Sequence, residues 1–167
     1  MKKAGKILIP AAALALALLF VLWQNGVFSQ NKTGSEIGSV TLTIRCDGAL
    51  RSDELKDSLR DLLPEDGVLG EAAVPLLEGD TVYTVLTRFC RENKIALDAS
   101  GTTRYGIYVS GIGGLYERDC GAQSGWMFSV NGDFVQKSAG DAALRDGDDV
   151  LWVYTLDLGK DVGSDDA

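Results

Sequence analysis

The most constraining feature of this sequence is an Asn131-Gly132 pair that lies between two short stretches of strand-forming residues. This dipeptide tolerates the positive φ angles of a tight type I′ turn, so residues 124–135 are predicted to form a β-hairpin. Side chains alternate between the two faces of a strand, which places Trp126, Phe128 and Val130 together on one face. That face is either part of the core or a surface that meets a ligand.

A second segment, residues 150–155, is apolar on both faces, as is typical of a central strand covered on each side. It adds the rings of Trp152 and Tyr154 to those of Trp126 and Phe128 in the hairpin. Two interpretations remain open: the rings form a platform for a flat apolar ligand, or they pack in the core. Trp126 and Tyr116 are the candidates for exposure, because glycine-rich sequence adjoins both.

The other predicted elements are strands at 40–45, 68–77 and 105–109, a short helix at 53–63, and a longer helix at 80–93. Asp80 or Thr81 is the predicted N-cap of the longer helix, whose apolar residues recur at helical spacing. One main amphipathic helix packed on a mixed sheet is an α+β architecture. The element order fits a ubiquitin-like β-grasp domain, and the apolar N-terminus predicts one further helix before it.

The N-terminus predicts an export signal. Three lysines precede an apolar run from Ile7 to Trp23. Lysines before an apolar helix stay in the cytoplasm, so the rest of the chain is expected outside the cell membrane. The run is short for a membrane span and long for a cleavable signal, so residues 1–23 are interpreted as a signal anchor, with cleavage after Ser29 and secretion as the alternative. Polar residues 24–39 are predicted to be a flexible spacer.

Charge and composition exclude several functions. All 24 acidic residues lie from Glu36 onward and four of the 16 basic residues lie before it, so this part has a net charge of −12. Such a surface repels nucleic acid, which is therefore not an expected partner. The sequence has no histidine, which removes Ser-His and Cys-His nucleophile pairs and imidazole metal sites. No catalytic residue set is found, and an enzyme is not predicted.

Four further features of the sequence have structural and functional interpretations. Cys46, Cys90 and Cys120 allow at most one internal disulfide, and their spacing does not favour zinc. The glycines of 111–114 are not followed by a helix, so they are predicted to serve backbone geometry rather than phosphate binding. The acidic residues of 146–149 lack the 12-residue calcium pattern and are predicted to form a turn. The acidic end of the chain is predicted to be solvated, with 164–167 as a tail.

Several motifs together resemble a known family. They are "PEDGV" (64–68), "EGDTVYTVLTRFCREN" (78–93), "GIGGLYERDCG" (111–121), "SGWMFSVNG" (124–132) and "LRDGDDVLWVYTLDLGKDVG" (144–163). In this order they resemble the bacterial domain of unknown function that is similar to the C-terminal domain of transcobalamin and intrinsic factor. The resemblance covers residues 40–163. It implies a β-grasp domain which, in the vitamin carriers, closes over one face of cobalamin held against a separate helical domain.

The resemblance also implies a ligand site and a disulfide. The ligand-binding candidates are Trp126, Phe128, Tyr116, Gly113, Gly114, Gln123, Ser124 and Gly125, whose backbone amides and polar side chains would meet the amides of a corrinoid. Leu156 stands where we expect many relatives to carry Cys, which leaves Cys46 unpaired and makes Cys90–Cys120 the expected disulfide. This chain has no helical domain of its own, so a second polypeptide is expected to complete a cobalamin site.

Two functional hypotheses from different classes follow. The first is a membrane-anchored extracytoplasmic binding module that contributes one wall of a cobalamin or corrinoid site, for delivery to an uptake transporter. No cofactor is required in that hypothesis, and cobalamin is the ligand. The second is a cell-surface interaction domain that contacts another protein without a small ligand. A hydrolase is disfavoured, because no nucleophile with a positioned base is present.

Overall fold

A computed structural model describes residues 34–102 and 104–164 of the chain. The predicted signal anchor and residues 24–33 of the predicted spacer lie outside the described residues. By contacts between Cα atoms, the described residues belong to one compact unit that begins at Gly34. No helix within these two ranges is long and apolar enough to cross a membrane.

The described residues form eight strands, three α-helices and a short 3-10 helix. In chain order these are β1 (Glu36–Arg45), α1 (Asp47–Leu50), α2 (Asp57–Arg60), β2 (Val68–Leu77), α3 (Val82–Asn93), β3 (Leu97–Thr102), β4 (Gly106–Ile112), β5 (Leu115–Tyr116), β6 (Gly125–Val130), β7 (Asp133–Phe134), β8 (Asp149–Thr155) and the 3-10 helix (Lys160–Val162). This mixture confirms the predicted α+β class.

The strands form two sheets. The larger has the order β2-β1-β8-β6-β7, and the smaller has the order β3-β4-β5. The β1–β8 pair is parallel, and every other pair in the two sheets is antiparallel. Strand β8 therefore lies between β1 and β6, as its two apolar faces predicted.

The core lies between one face of the larger sheet and α3. Cross-strand pairs join Leu42 to Val150 and Ile44 to Trp152, so these four residues share a face. They are buried together with the inward side of α3, which carries Val82, Val85, Leu86 and Phe89. The aromatic pairs of β6 and β8 continue the same face toward the smaller sheet. Most of the aromatic face predicted from the sequence is therefore core.

Helix α3 has the predicted beginning and a clear end. Thr81 is the N-cap, and its side chain accepts a hydrogen bond from Thr84 N while the Thr84 hydroxyl accepts one from Thr81 N. This reciprocal arrangement satisfies two backbone donors that the first helical turn leaves unpaired. Lys94 ends the helix in the left-handed conformation with φ of 57°.

The predicted hairpin is confirmed, and hydrogen bonds of its Asn131 side chain join the turn to the start of β8. Val130 pairs with Asp133, so Asn131 and Gly132 form a two-residue turn with φ angles of 55° and 87°. Asn131 Nδ2 donates to Asp148 Oδ1, and Asn131 Oδ1 accepts from Asp149 N, each at 2.9 Å. The turn therefore also fixes the entry of the chain into β8. Residues 146 and 147 form the predicted turn just before it.

Of the predicted helix at 53–63, only the four residues of α2 are helical, and α1 ends at Leu50, before the predicted start. The guanidinium of Arg60 donates to the carbonyls of Leu50 at 2.5 Å and Ser52 at 2.8 Å. Those carbonyls are therefore satisfied by a side chain instead of by a continuing helix. Leu55 and Leu63 are buried while Leu62 is exposed, so the leucines do not share one helical face.

Three other boundaries differ from the sequence prediction. Strand β1 begins at Glu36, inside the predicted spacer, because Glu36 and Ser39 pair with Leu77 and Pro75 of β2. Pro75 does not break β2, since an edge strand can leave that nitrogen unpaired. Strand β3 was not predicted, because five of its six side chains are exposed and show no apolar alternation. Strand β4 extends beyond the predicted strand at 105–109 to Ile112, and β5 follows at Leu115–Tyr116.

Candidate functional site

An open groove with ligand-like dimensions lies beside the first half of β6, and we call it the hairpin groove. Its volume is about 490 Å³. It is lined by Tyr108, Glu117, Arg118, Ala122, Gln123, Ser124, Gly125, Trp126, Met127, Gln136, Thr155 and Leu158. The structure therefore brings together four of the predicted ligand-binding residues, Gln123 through Trp126, and adds walls from β4, β8 and the C-terminal end.

A compact loop from residue 117 to residue 124 forms one side of the groove. Ser124 O accepts a hydrogen bond from Arg118 N at 3.0 Å, and Tyr116 N donates to Asp119 Oδ2 at 2.7 Å. Arg118 adopts the left-handed conformation with φ of 66°. Non-glycine residues rarely adopt it, and such strain is common where a loop is held for function. The exposed Arg118 guanidinium is the cationic group among the groove's lining residues.

The predicted site residue Ser124 is engaged inside the protein. Its Oγ lies 2.9 Å from the Tyr154 hydroxyl, and it accepts a hydrogen bond from Cys120 N at 3.1 Å. The Tyr154 hydroxyl in turn donates to Tyr116 O at 2.7 Å. Burial raises the pKa of Tyr154 to about 12, so this phenol stays protonated at neutral pH. Ser124 thus anchors the loop to β8.

Trp126 is more buried than the sequence predicted. It is 9% exposed, and its indole Nε1–H donates to Leu115 O at 2.9 Å. Its ring meets Tyr154 edge-on, with ring centroids 5.3 Å apart and an interplanar angle of 78°. Edge-to-face packing of this kind is favourable in a protein core. Trp126 therefore forms part of the groove's floor rather than a free stacking platform.

The rim beside the 117–124 loop is formed by Tyr108 of β4, which was not among the predicted site residues. Its ring is 53% exposed, and its hydroxyl donates a hydrogen bond to Glu117 Oε2. The hydrogen bond to Glu117 raises the pKa of Tyr108, with burial and the negative charge of Glu117 acting in the same direction. The carboxylate thus fixes the orientation of an exposed aromatic ring beside the groove.

The C-terminal end, predicted to be solvated, returns to the domain and closes another side of the groove. Asp161 accepts hydrogen bonds from the Thr155 hydroxyl and from Leu156 N, the latter at 2.9 Å. Burial alone would raise the pKa of Asp161, but these hydrogen bonds outweigh it and lower the pKa. Leu158 N then donates to Gln123 O at 3.1 Å. The exposed side chain of Leu158 is thereby held at the rim.

The remaining predicted ligand-binding residues lie outside the hairpin groove. Gly113 and Gly114 form the two-residue turn between β4 and β5, with φ angles of 65° and 83°. They serve backbone geometry, as predicted. Tyr116 is 42% exposed and donates from its hydroxyl to Asp98 Oδ2 at 2.6 Å, on the smaller sheet. Phe128 lies further along β6, against Trp152, with ring centroids 5.1 Å apart.

The expected Cys90–Cys120 disulfide is not present, since all three cysteines are free thiols in the core. Cys90 lies on the buried side of α3, whereas Cys120 packs beside α1, with its sulfur 4.0 Å from Ala49 O. Burial raises the pKa of Cys46 to about 12 and that of Cys90 to about 11. In the described part of the chain, no group of three Cys, Asp or Glu side chains converges as a metal site.

Comparisons with known proteins agree with this architecture. The family model "Domain of unknown function (DUF4430)" matches residues 79–155, from the turn before α3 to the end of β8. No curated protein matches the sequence. A similar solved structure is haptocorrin in complex with Cbi, with a TM-score of 0.52 and 15% identity over 72% of this chain and 26% of the haptocorrin chain.

A second similar structure is that of a candidate metal-binding protein from Ruminococcus gnavus, with a TM-score of 0.44 and 17% identity over 71% of this chain and 96% of the other. At these identities the likeness to haptocorrin, a transcobalamin-like protein, shows the fold alone. The resemblance predicted from the sequence is confirmed: residues 79–155 match the model of the domain of unknown function, and the fold is similar to that of haptocorrin, a transcobalamin-like protein.

Proposed function

We propose that this protein is an extracytoplasmic binding module that contributes one wall of a site for cobalamin or a related corrinoid, in uptake or delivery. The observation that carries the proposal is the hairpin groove. Its volume of about 490 Å³ falls within the range of small-molecule sites, about 300–1,000 Å³. The groove is open along one side, which suits a large flat ligand that a single domain covers only in part.

The chemistry of the groove supports a ligand with both apolar and amide groups. Met127 and Leu158 supply apolar contact, and a methionine side chain adapts its shape to an irregular surface. Gln123 and Gly125, which also line the groove, supply polar donors and acceptors. Such a combination of apolar walls with a few fixed polar groups is typical of small-molecule sites.

The fold supports the same ligand class. The strand order β2-β1-β8-β6-β7, with a parallel β1–β8 pair and α3 across one face, supports the β-grasp assignment. Haptocorrin is the similar structure that holds Cbi. This chain covers 26% of the haptocorrin chain, so we propose that a helical partner protein or the uptake transporter supplies the facing wall. No catalytic step is proposed.

The location follows from the sequence of the N-terminus. Lys2, Lys3 and Lys6 before the apolar run 7–23 support a single-pass anchor with the binding domain outside the cell. Cleavage after Ser29 would release the same domain as a secreted protein. An anchored module would keep a captured ligand at the membrane surface, where a transporter can accept it.

Equilibrium binding of cyanocobalamin and hydroxocobalamin to the full chain, measured by calorimetry, tests the proposal. The decisive variants are Tyr108→Ala and the matched control Tyr105→Ala. Both variants remove an exposed tyrosine at or next to β4. Tyr105, which is 82% exposed, does not line the groove. Loss of a contributing contact costs more than about 1 kcal/mol, which is about fivefold in affinity.

We expect Tyr108→Ala to weaken corrinoid binding by at least that factor and Tyr105→Ala to leave it unchanged. Equal affinities of the two variants would show that the ligand does not use this groove. No binding of either corrinoid, with and without a membrane extract that supplies partner proteins, would refute the ligand assignment.

A cell-surface interaction domain is the second candidate, and one surface favours it. The smaller sheet exposes Tyr108 and Tyr116, its β3–β4 turn exposes Tyr105, and nearly all of β3 is exposed as well. Tyrosine is enriched at protein interfaces because its ring adds contact area at low entropic cost. Cross-linking in membranes through a reactive residue at position 100 of β3 would capture a partner if this surface is used, and corrinoids would not compete.

A further inference from the structure

Strand β3 is an exposed edge of the smaller sheet and differs from the other sheet edges of the described chain. Edge strand β2 carries Pro75, which has no N–H, and the Pro75 carbonyl accepts a hydrogen bond from Arg88 Nη2 at 2.6 Å. Edge strands β5 and β7 are only two residues long. Strand β3 has six residues, with neither a lysine nor a proline to discourage pairing with another strand.

The backbone groups of Gly101 and Ala99 point away from the sheet. Ile107 of β4 donates from its N–H to Ser138 Oγ at 2.6 Å, and its carbonyl accepts from the same hydroxyl at 3.3 Å. Its partner in β3 is Gly101, so this pair is not hydrogen-bonded and the N–H and C=O of Gly101 face outward. Because the direction alternates at every second residue, the groups of Ala99 face outward as well.

The other end of β3 has the same orientation, on independent evidence. Glu117 N donates to Ser110 O at 2.9 Å, so Ser110 is bonded on the β5 side of β4. Two residues further along the same ladder, Ile112 is therefore bonded to its β5 partner Leu115. Leu97 pairs with Ile112 on the opposite side, so its N–H and C=O also face outward.

Positions 97, 99 and 101 thus present a row of backbone donors and acceptors along the free edge. No hydrogen bond from the described part of the chain reaches this row. Residues 98–102 are exposed, so another strand has access to it. An extended strand is the partner that fits such a row, because its own N–H and C=O groups repeat at the same spacing.

The row is complementary to itself, because it is symmetrical about Ala99. When two copies meet antiparallel with Ala99 opposite Ala99, every outward group finds a partner, and any other antiparallel register leaves part of the row unpaired. Asp98 then lies opposite Ser100 of the second copy, which avoids a like-charge pair and offers the carboxylate a hydroxyl donor. Leu97 lies opposite Gly101, which has no side chain to obstruct it.

We propose that two copies of this chain associate through β3, antiparallel and centred on Ala99, so that their two smaller sheets become one continuous sheet. An edge of six residues is at the low end of interface sizes, so the association is reversible. The net charge of −12 on residues 36–167 opposes it. The proposal does not depend on corrinoid binding.

The charge gives the association a characteristic salt dependence. Raising the ionic strength from about 0.01 M to about 0.1 M shortens the Debye length from about 30 Å to about 10 Å, which screens the repulsion between two acidic copies. We therefore expect self-association to strengthen over this range. A basic strand from another protein would bind more weakly as the salt concentration rises.

Cysteine cross-linking of the full chain in detergent micelles tests the register. Ala99→Cys places two new thiols opposite each other, where the Cα atoms of a bonded pair are about 5.5 Å apart and a disulfide can form. Thr102→Cys is the matched control, because it is also exposed on β3 but its two thiols would lie about 20 Å apart. The native thiols are buried in both variants. Under a mild oxidant we expect Ala99→Cys to form covalent dimer about tenfold faster.

Ala99→Pro tests the backbone contact, since it removes an outward N–H without removing a bond between β3 and β4. Ala99→Ser keeps the N–H and is its control. In sedimentation equilibrium of the full chain, we expect Ala99→Pro to weaken self-association about tenfold and Ala99→Ser to leave it unchanged.

Four results would each overturn the proposal. They are a wild-type chain that stays monomeric at every salt concentration, equal cross-linking of the two cysteine variants, an Ala99→Pro chain that associates as strongly as Ala99→Ser, and an Ala99→Cys thiol that cross-links in native membranes only to a different protein.

Discussion

The buried ion pair between Asp80 and Arg88 allows a quantitative test of the structure. Asp80 lies just before α3, and its Oδ2 is 2.7 Å from Arg88 Nη2. The carboxylate also accepts hydrogen bonds from Leu77 N at 2.8 Å and from the Thr84 hydroxyl at 2.9 Å. Arg88 Nη2 donates further to Pro75 O at 2.6 Å. The pair thus joins α3 to the end of β2.

The magnitude follows from the burial of both partners. The side chains of Arg88 and Asp80 are 15% and 8% exposed. Removing one partner of a buried pair leaves the other charge uncompensated, which costs about 3–5 kcal/mol. We therefore expect Asp80→Ala to lower the free energy of unfolding by about that amount. A domain of this size has a total stability of about 5–15 kcal/mol, so the variant is expected to be marginally stable.

Urea unfolding of the full chain, followed by tryptophan fluorescence, measures the effect. Asp53→Ala is the control, since Asp53 is exposed and is expected to change stability by less than about 0.5 kcal/mol. The double variant Asp80→Ala/Arg88→Met removes both charges, so it is expected to be more stable than Asp80→Ala alone. An Asp80→Ala protein as stable as the control would refute the assignment of this pair as buried and coupled.

The same pair predicts the pH dependence of stability. Burial alone would raise the pKa of Asp80, but hydrogen bonds from Arg88, Leu77 N and Thr84 outweigh it and lower the pKa. A carboxylate whose pKa is lower in the folded state stabilises the protein above its unfolded pKa of about 3.9, and this contribution is lost as the pH falls through the folded pKa. Asp80→Asn is therefore expected to flatten the loss of stability below about pH 4.

Three further predictions concern the turns and the thiols. Gly113→Ala is expected to lower the free energy of unfolding by about 1–2 kcal/mol, because φ is 65° and the new Cβ would lie 2.9 Å from Leu69 Cδ2; urea unfolding measures it. Asn131→Ala is expected to cost about 1–2 kcal/mol in the same assay, since it removes the acceptor of Asp149 N and a residue suited to positive φ. The three buried thiols are expected to resist Ellman's reagent at pH 8 until the protein unfolds, and the intact mass is expected to be unaffected by reductant; rapid native labelling would contradict their burial.

The fold was predictable where local chemistry and the tertiary structure favour the same conformation. The Asn131-Gly132 turn requires positive φ, the Thr81 cap begins α3, and the two apolar faces of β8 require a central position. The prediction failed where a distant group decides the local conformation. Within the predicted helix at 53–63 only α2 forms, and Arg60 of α2 donates to the carbonyls of Leu50 and Ser52, which follow the end of α1.

The site was only half predictable, because its floor and its rim arise in different ways. The floor is one continuous segment, residues 123–126, whose glycine and tryptophan stand out in the sequence. The rim is formed by Tyr108 and Leu158, which lie far from this segment in the sequence. Leu158 reaches it because Asp161 turns an acidic end of the chain back onto Thr155 and Leu156.

Tyr108 reaches the other side of the rim because β4 belongs to a separate sheet that packs beside β6. Neither Tyr108 nor Leu158 is distinguishable in the sequence from an ordinary surface residue. The unpaired indole N–H of the buried Trp152 was also not predictable from the sequence. A buried indole usually finds an acceptor, and only the packed structure shows that this one has none among the described residues. Sequence patterns therefore identify the strand on which a site is built, whereas the groups that select the ligand depend on which distant segments pack against that strand.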